Sequence, residues 1–65
     1  MLFYQSSSSS YRIEKDVVGW YLIVYARKDL EKSSADYLLN TLEDAFIEAE
    51  NRFNISRNDW QEILT

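Results

Sequence analysis

The chain has 65 residues and a net charge of −4, from 11 acidic and 7 basic residues; 46% of it is hydrophobic and 15% aromatic. It has no Cys and no His, which rules out disulfides and thiolate metal sites and removes the commonest zinc ligand and the usual general base. The acidic balance disfavours nucleic-acid phosphate and anionic membrane, both of which need clustered Lys and Arg, and no apolar run approaches the ~20 residues that span a bilayer.

One domain with one core fits this length. Such a chain buries only about 60% of the surface it exposes when unfolded, so aromatic packing and self-association are its available sources of stability. Residues 11–65 are expected to form a single domain, with 1–10 as an amino-terminal segment. The opening "MLFYQSSSSS" lacks the basic and apolar regions of a signal peptide, so a cytoplasmic location is expected. Within it, "LFYQ" is a candidate short edge strand. The serine tract reads as a flexible loop or frayed strand, a phosphorylation cluster having no supporting context.

"YRIEK" (11 to 15) alternates apolar and polar residues, as a half-buried strand does. "DVVG" (16 to 19) supplies turn chemistry and fits a four-residue loop. "GWYLIVYAR" (19 to 27) is the second strand of a hairpin. That loop pairs Lys15 with Trp20, Ile13 with Leu22 and Tyr11 with Val24. Tyr11, Ile13, Trp20, Leu22 and Val24 then share one face, and Arg12, Glu14, Tyr21, Ile23, Tyr25 and Arg27 share the other. A slip of one residue would scramble both sets.

"KDLEKSSAD" (28 to 36) is polar and reads as a loop. "YLLN" (37 to 40) is either a third strand or the start of a long helix. The strand is favoured because Thr41 is a good N-cap and Glu43 and Asp44 suit the positive end of a helix. Leu42, Ala45, Phe46, Ala49 and Phe53 make one apolar helical stripe, and Asn54 is a natural stop. In "ISRNDWQEIL" (55 to 64), Ser56 and Asp59 predict a short closing helix that docks Trp60, Ile63 and Leu64, with Ile55 stapling its start. The expected fold is α+β: a small antiparallel sheet of two to four strands packed on one main helix, with a short carboxy-terminal helix.

Catalytic patterns are absent. The carboxylate pairs Glu43/Asp44, Glu48/Glu50 and Asp59/Glu62 flank the apolar stripe or lie in the closing helix, and they read as solvated surface. They splay too far to hold magnesium, and no glycine loop cradles phosphate. A Ser nucleophile would lack its base. No enzyme activity, metal or cofactor is expected.

Binding is the better expectation. A single helix shields one side of the hairpin, which leaves Tyr21, Ile23 and Tyr25, with Arg12 and Arg27, on the other. Tyr and Arg are enriched at binding hot spots. Three readings of this face stay open: ordinary core roofed by the chain's own ends, a surface that mates with a protein partner or its own copy, or a platform that stacks unpaired bases. The acidity weighs against the last. Ile47, set among Asp44, Glu48, Glu50 and Asn51 on the helix, is a second candidate, the apolar centre of a site for a basic partner.

The stretch "TLEDAFIEAENRFNISRNDW" (41 to 60), preceded by "EKDVVGWYLIVY" (14 to 25), resembles small bacterial and phage domains. These carry a strand around "GW-Y-L", followed by "T-L-E-x-A", "A-E", "F-x-I" and a closing Trp. Some are similar to immunity proteins, which neutralise a toxin by binding it. The resemblance implies a small acidic inhibitor that occludes a basic partner surface, with a homodimer closed through Tyr21, Ile23 and Tyr25 as the alternative and a single-stranded nucleic-acid binder third.

Overall fold

The hairpin forms in the register that its alternation demands. A computed structural model, which describes residues 1–26 and 33–63, pairs Lys15 with Trp20, Ile13 with Leu22 and Tyr11 with Val24. The elements run β1 (Leu2–Gln5), β2 (Ser9–Asp16), β3 (Gly19–Ala26), β4 (Ser33–Leu39), α1 (Leu42–Phe53), a 3-10 turn (Arg57–Asp59) and β5 (Gln61–Glu62). Among the described residues the strands make one five-stranded antiparallel sheet in the order β4-β3-β2-β1-β5. The α+β class stands as expected, with a wider sheet.

Four local expectations are corrected. The hairpin tip is shorter than four residues: pairing continues to Asp16 and Gly19, which leaves Val17 and Val18 to turn. The Asp16 carboxylate accepts the Val17 N–H at 2.7 Å. At Gly19, φ is +155°, and a Cβ there would lie 2.4 Å from the Leu39 carbonyl oxygen. Only glycine lets β4 approach that closely.

The serine tract is ordered rather than loose. Ser6 Oγ accepts the Ser9 N–H at 3.0 Å and donates to the Ser9 carbonyl at 3.1 Å. A serine hydroxyl thereby closes the β1–β2 turn, and Ser9 and Ser10 enter β2. The segment "LFYQ" is β1; β5 covers its far side only at Leu2 and Phe3.

Residues 37–39 are strand, as favoured, but the strand begins at Ser33 rather than after Asp36. Ser, Ala and Asp are weak strand formers, so pairing with β3 overrides their preference here.

The expected closing helix is a single 3-10 turn. Asp59 Oδ2 accepts the Ser56 N–H at 3.1 Å, and Trp60 then adopts extended geometry. A one-turn helix offers few hydrogen bonds, whereas β1 has free backbone groups to satisfy. The chain takes the second option: Gln61 and Glu62 pair with β1, and the Ile63 N–H reaches the Met1 carbonyl at 2.9 Å. Ile63 is exposed, and Leu64 lies outside the described residues.

Helix α1 is built as its caps dictate. Thr41 Oγ1 accepts the Asp44 N–H at 3.0 Å. Asn54 ends the helix in left-handed geometry at φ 58°, its N–H and that of Ile55 going to the Glu50 and Ala49 carbonyls. Ala45 and Ala49, both fully buried, let the helix settle closely on Tyr11, Ile13, Leu22 and Val24, and Ile55 completes this core. An aromatic chain edges it, with Tyr11 5.0 Å from Phe53, and Trp60 6.2 Å from Tyr4 and 6.5 Å from Phe46. Trp60 is structural, as expected.

Candidate functional site

Alternation carries the other half of the strand residues to the opposite face of the sheet. Cα pairing across the sheet lays them out in three rows. The first runs Glu14–Tyr21–Leu38, the second Phe3–Arg12–Ile23–Asp36, and the third Gln5–Ser10–Tyr25. The two described elements outside the sheet sit on the core side: α1 packs on the core strands, and Arg57 of the 3-10 turn lies over Phe46 of α1. No described element crosses the opposite face.

Of the residues expected at a site, the structure brings Arg12, Tyr21, Ile23 and Tyr25 together here. Arg12 is directly opposite Ile23 in the ladder, and its guanidinium lies 5.5 Å from the centre of the Tyr25 ring. That contact holds a charged head against an aromatic face, an arrangement worth ~0.5–1 kcal/mol at an exposed site. Arg27 lies outside the described residues. The sequence reading missed Phe3, Asp36 and Leu38, which join the face because β1 and β4 pair as they do; Leu38 is 51% exposed. The alternation in "LFYQ" and "SADYLL" was the available signal.

The three rows carry three charged side chains, Arg12, Glu14 and Asp36, among apolar and aromatic neighbours. Such a face combines apolar and aromatic contact area with charges of both signs. It suits recognition of another protein surface.

The helix candidates are dispersed. Ile47 is 47% exposed. It lines a shallow groove of about 180 Å³ with Glu43, Phe46, Glu50 and Arg57, whereas Asp44 sits in the capped first turn and Glu48 is ion-paired with Arg52. That carboxylate holds the Arg52 guanidinium above its usual pKa, chiefly by accepting its hydrogen bond. Glu43 is likewise paired, with Arg57. Of the acids expected around Ile47, Glu48 is therefore already neutralised by one of the chain's own arginines, which thins that ring.

A second groove, about 280 Å³, runs along Phe3, Tyr4, Gln5, Asp59 and Gln61. Both fall below the ~300–1,000 Å³ of ordinary small-molecule pockets. Among the described residues no three carboxylates converge to hold a metal ion, and no helix is long and apolar enough to cross a membrane. Compared with protein-family models, curated proteins and solved structures, the chain matches none.

Proposed function

We propose that this is a small, acidic, non-catalytic protein-binding domain that works by occlusion, with the open face of the sheet as its docking surface. The observation that carries the reading is the asymmetry of β3. Leu22 and Val24 are buried under α1, while Tyr21, Ile23 and Tyr25 alternate with them onto a face that no described element covers. These three side chains are only partly buried and Leu38 beside them is exposed, and a contiguous apolar, aromatic patch seldom stays bare on a monomer. Arg12, held against Tyr25, adds a directional contact.

A second reading is favoured by the groove on α1. Its floor is Phe46 and Ile47, and the Glu50 carboxylate on its rim has no ion-pair partner among the described residues. With the chain's own Arg57 already over Phe46, the free Glu50 carboxylate beside Ile47 is what would meet a Lys or Arg of a basic partner. The nucleic-acid reading gains least, since the one described guanidinium of the open face shares it with two carboxylates.

The test is capture from the native host with identification by mass spectrometry, run in parallel with the wild-type chain and the Tyr21→Ala/Tyr25→Ala double variant. The docking reading expects a captured protein that the folded double variant no longer holds. A protein held equally by both, or a double variant that fails to fold, contradicts it. If Ile47→Glu alone abolishes capture, the helix groove is the site.

A further inference from the structure

The two edges of the sheet are finished differently. At one, β5 pairs with β1 at Leu2 and Phe3. At the other, β4 is the last strand, seven residues long, and among the described residues no element pairs with its outer side. The β2–β3 turn fixes which backbone groups are left there. Asp16 and Gly19 flank a two-residue turn and so form a hydrogen-bonded pair, and such pairs recur at every second residue of a ladder. Tyr21 and Ile23 therefore bond β2, while Trp20 and Leu22 bond their β4 partners, Leu39 and Tyr37. Leu38, and Asp36 before Tyr37, turn their N–H and C=O groups outward.

The side chains of this edge are ordered too. Asp36, Leu38 and Asn40 are exposed, and Ala35, Tyr37 and Leu39 between them are half-buried. A long edge of this kind is a template for another strand, which charges or proline ordinarily discourage. β4 has no proline and one charged residue, Asp36.

We propose that β4 pairs antiparallel with the β4 of a second copy, across a two-fold axis perpendicular to the sheet at Leu38, joining the two sheets into one. The side chains select this register over its neighbours. An axis at Asp36 sets two carboxylates face to face, one at Tyr37 sets each carboxylate against the partner's Leu38, and one at Leu39 sets Leu38 against the partner's Asn40. With the axis at Leu38, that side chain meets the partner's Leu38, and each Asp36 carboxylate lies opposite the partner's Asn40, whose carboxamide donates to it. On the core side of the sheet, Tyr37 lies opposite the partner's Leu39, so apolar meets apolar. The outward N–H and C=O of Leu38 bond those of the partner's Leu38, and two-fold symmetry repeats every other contact.

This pairing does not rest on the docking reading. It uses the edge and leaves the open faces of both copies uncovered, side by side on one surface. An interface one strand wide is smaller than the standard ~800 Å² per partner, so the dimer is a weak one.

Sedimentation velocity and amide hydrogen exchange, from micromolar to millimolar chain, test it. The wild type should pass from monomer to dimer, and the Asp36 and Leu38 amides should gain protection as it does. Leu38→Pro should abolish the dimer, because it removes an N–H that faces the partner and none that bonds β3. Asn40→Asp sets carboxylate against carboxylate twice and should weaken the dimer about tenfold, whereas Asn40→Lys makes two ion pairs and should tighten it by a similar factor. Tyr21→Ala/Tyr25→Ala should leave it unchanged. Thermal melts in dilute solution show which variants are folded.

A wild type that stays monomeric, its Asp36 and Leu38 amides exchanging at one rate throughout, overturns the pairing and leaves the docking reading standing. A dimer that the two Asn40 variants shift in the same direction, or not at all, overturns it as well. If Tyr21→Ala/Tyr25→Ala abolishes a dimer that Leu38→Pro keeps, the interface is the open face and the edge pairing fails. Should Leu38→Pro not fold, the Asn40 variants and the exchange rates decide.

Discussion

The two faces of the sheet are made by the same strands and differ in almost everything else. On one face Leu22 and Ile13 are fully buried beneath Ala45 and Ala49, and rings from three strands and the helix close the edges. On the other, Tyr21, Ile23 and Tyr25 are only partly buried, and the Arg12 guanidinium lies over the Tyr25 ring. Adjacent residues of β3 thus have similar hydrophobicity and opposite fates. Hydrophobicity places a residue in the sheet; the single helix decides which half of those residues becomes core.

The sharpest way to break this comparison is to cut both sides of β3 equally. Leu22→Ala should cost about 2–5 kcal/mol, a large share of the roughly 3–10 kcal/mol that a chain of this length commands. Ile23→Ala, one residue on, should cost no more than ~1 kcal/mol, since Ile23 is only partly buried and no described element packs over it. Urea titration in dilute solution, where self-association is negligible, measures both. Equal losses would mean that the second face is core.

At the rim of the core, Trp60→Ala should cost about 3 kcal/mol. Trp60→Phe should cost clearly less, because the ring still reaches Tyr4 and Phe46 and the indole Nε1, enclosed without a partner among the described residues, is removed. Parallel thermal melts of the two variants decide it. Gly19→Ala comes next. The added Cβ meets the Leu39 carbonyl, and backbone strain of this kind is worth ~1–3 kcal/mol. Exchange of the β3 and β4 amides should accelerate first. Thr41→Ala should have the smallest effect, about 1 kcal/mol, through loss of the cap on the Asp44 N–H; the fall in helical circular dichroism on mild heating reports it.

How much of this was legible depends on the range of the forces involved. The register of β2 and β3 was readable because alternation on two adjacent strands leaves one consistent answer, and the caps of α1 were readable because Thr41 and Asn54 act within one turn. The chain end was misread for the complementary reason. Trp60, Ile63 and Leu64 carry helical spacing, but the free backbone of β1 that draws Gln61 and Glu62 into the sheet belongs to the other end of the chain. Ser33 to Asp36 joined β4 under the same distant influence. The serine tract misled by composition: five identical residues look unstructured until one hydroxyl is seen closing a turn. At the candidate site, the tyrosines and Arg12 were found by alternation, while Phe3, Asp36 and Leu38 needed the sheet order. Of the acids set around Ile47, Glu48 is neutralised by Arg52, four residues on along the same helix, a pairing whose spacing the sequence already carried.

The most direct measurement is the melting temperature of Tyr21→Ala/Tyr25→Ala in dilute solution, set beside that of the wild type. Two partly buried side chains that no described element covers should cost together about 1 kcal/mol, a drop of ~4–8 °C with the transition still sharp. Loss of cooperative melting, or a fall as deep as that of Leu22→Ala, would show that the tyrosines hold the chain's own interior together, and the case for a docking face would end there.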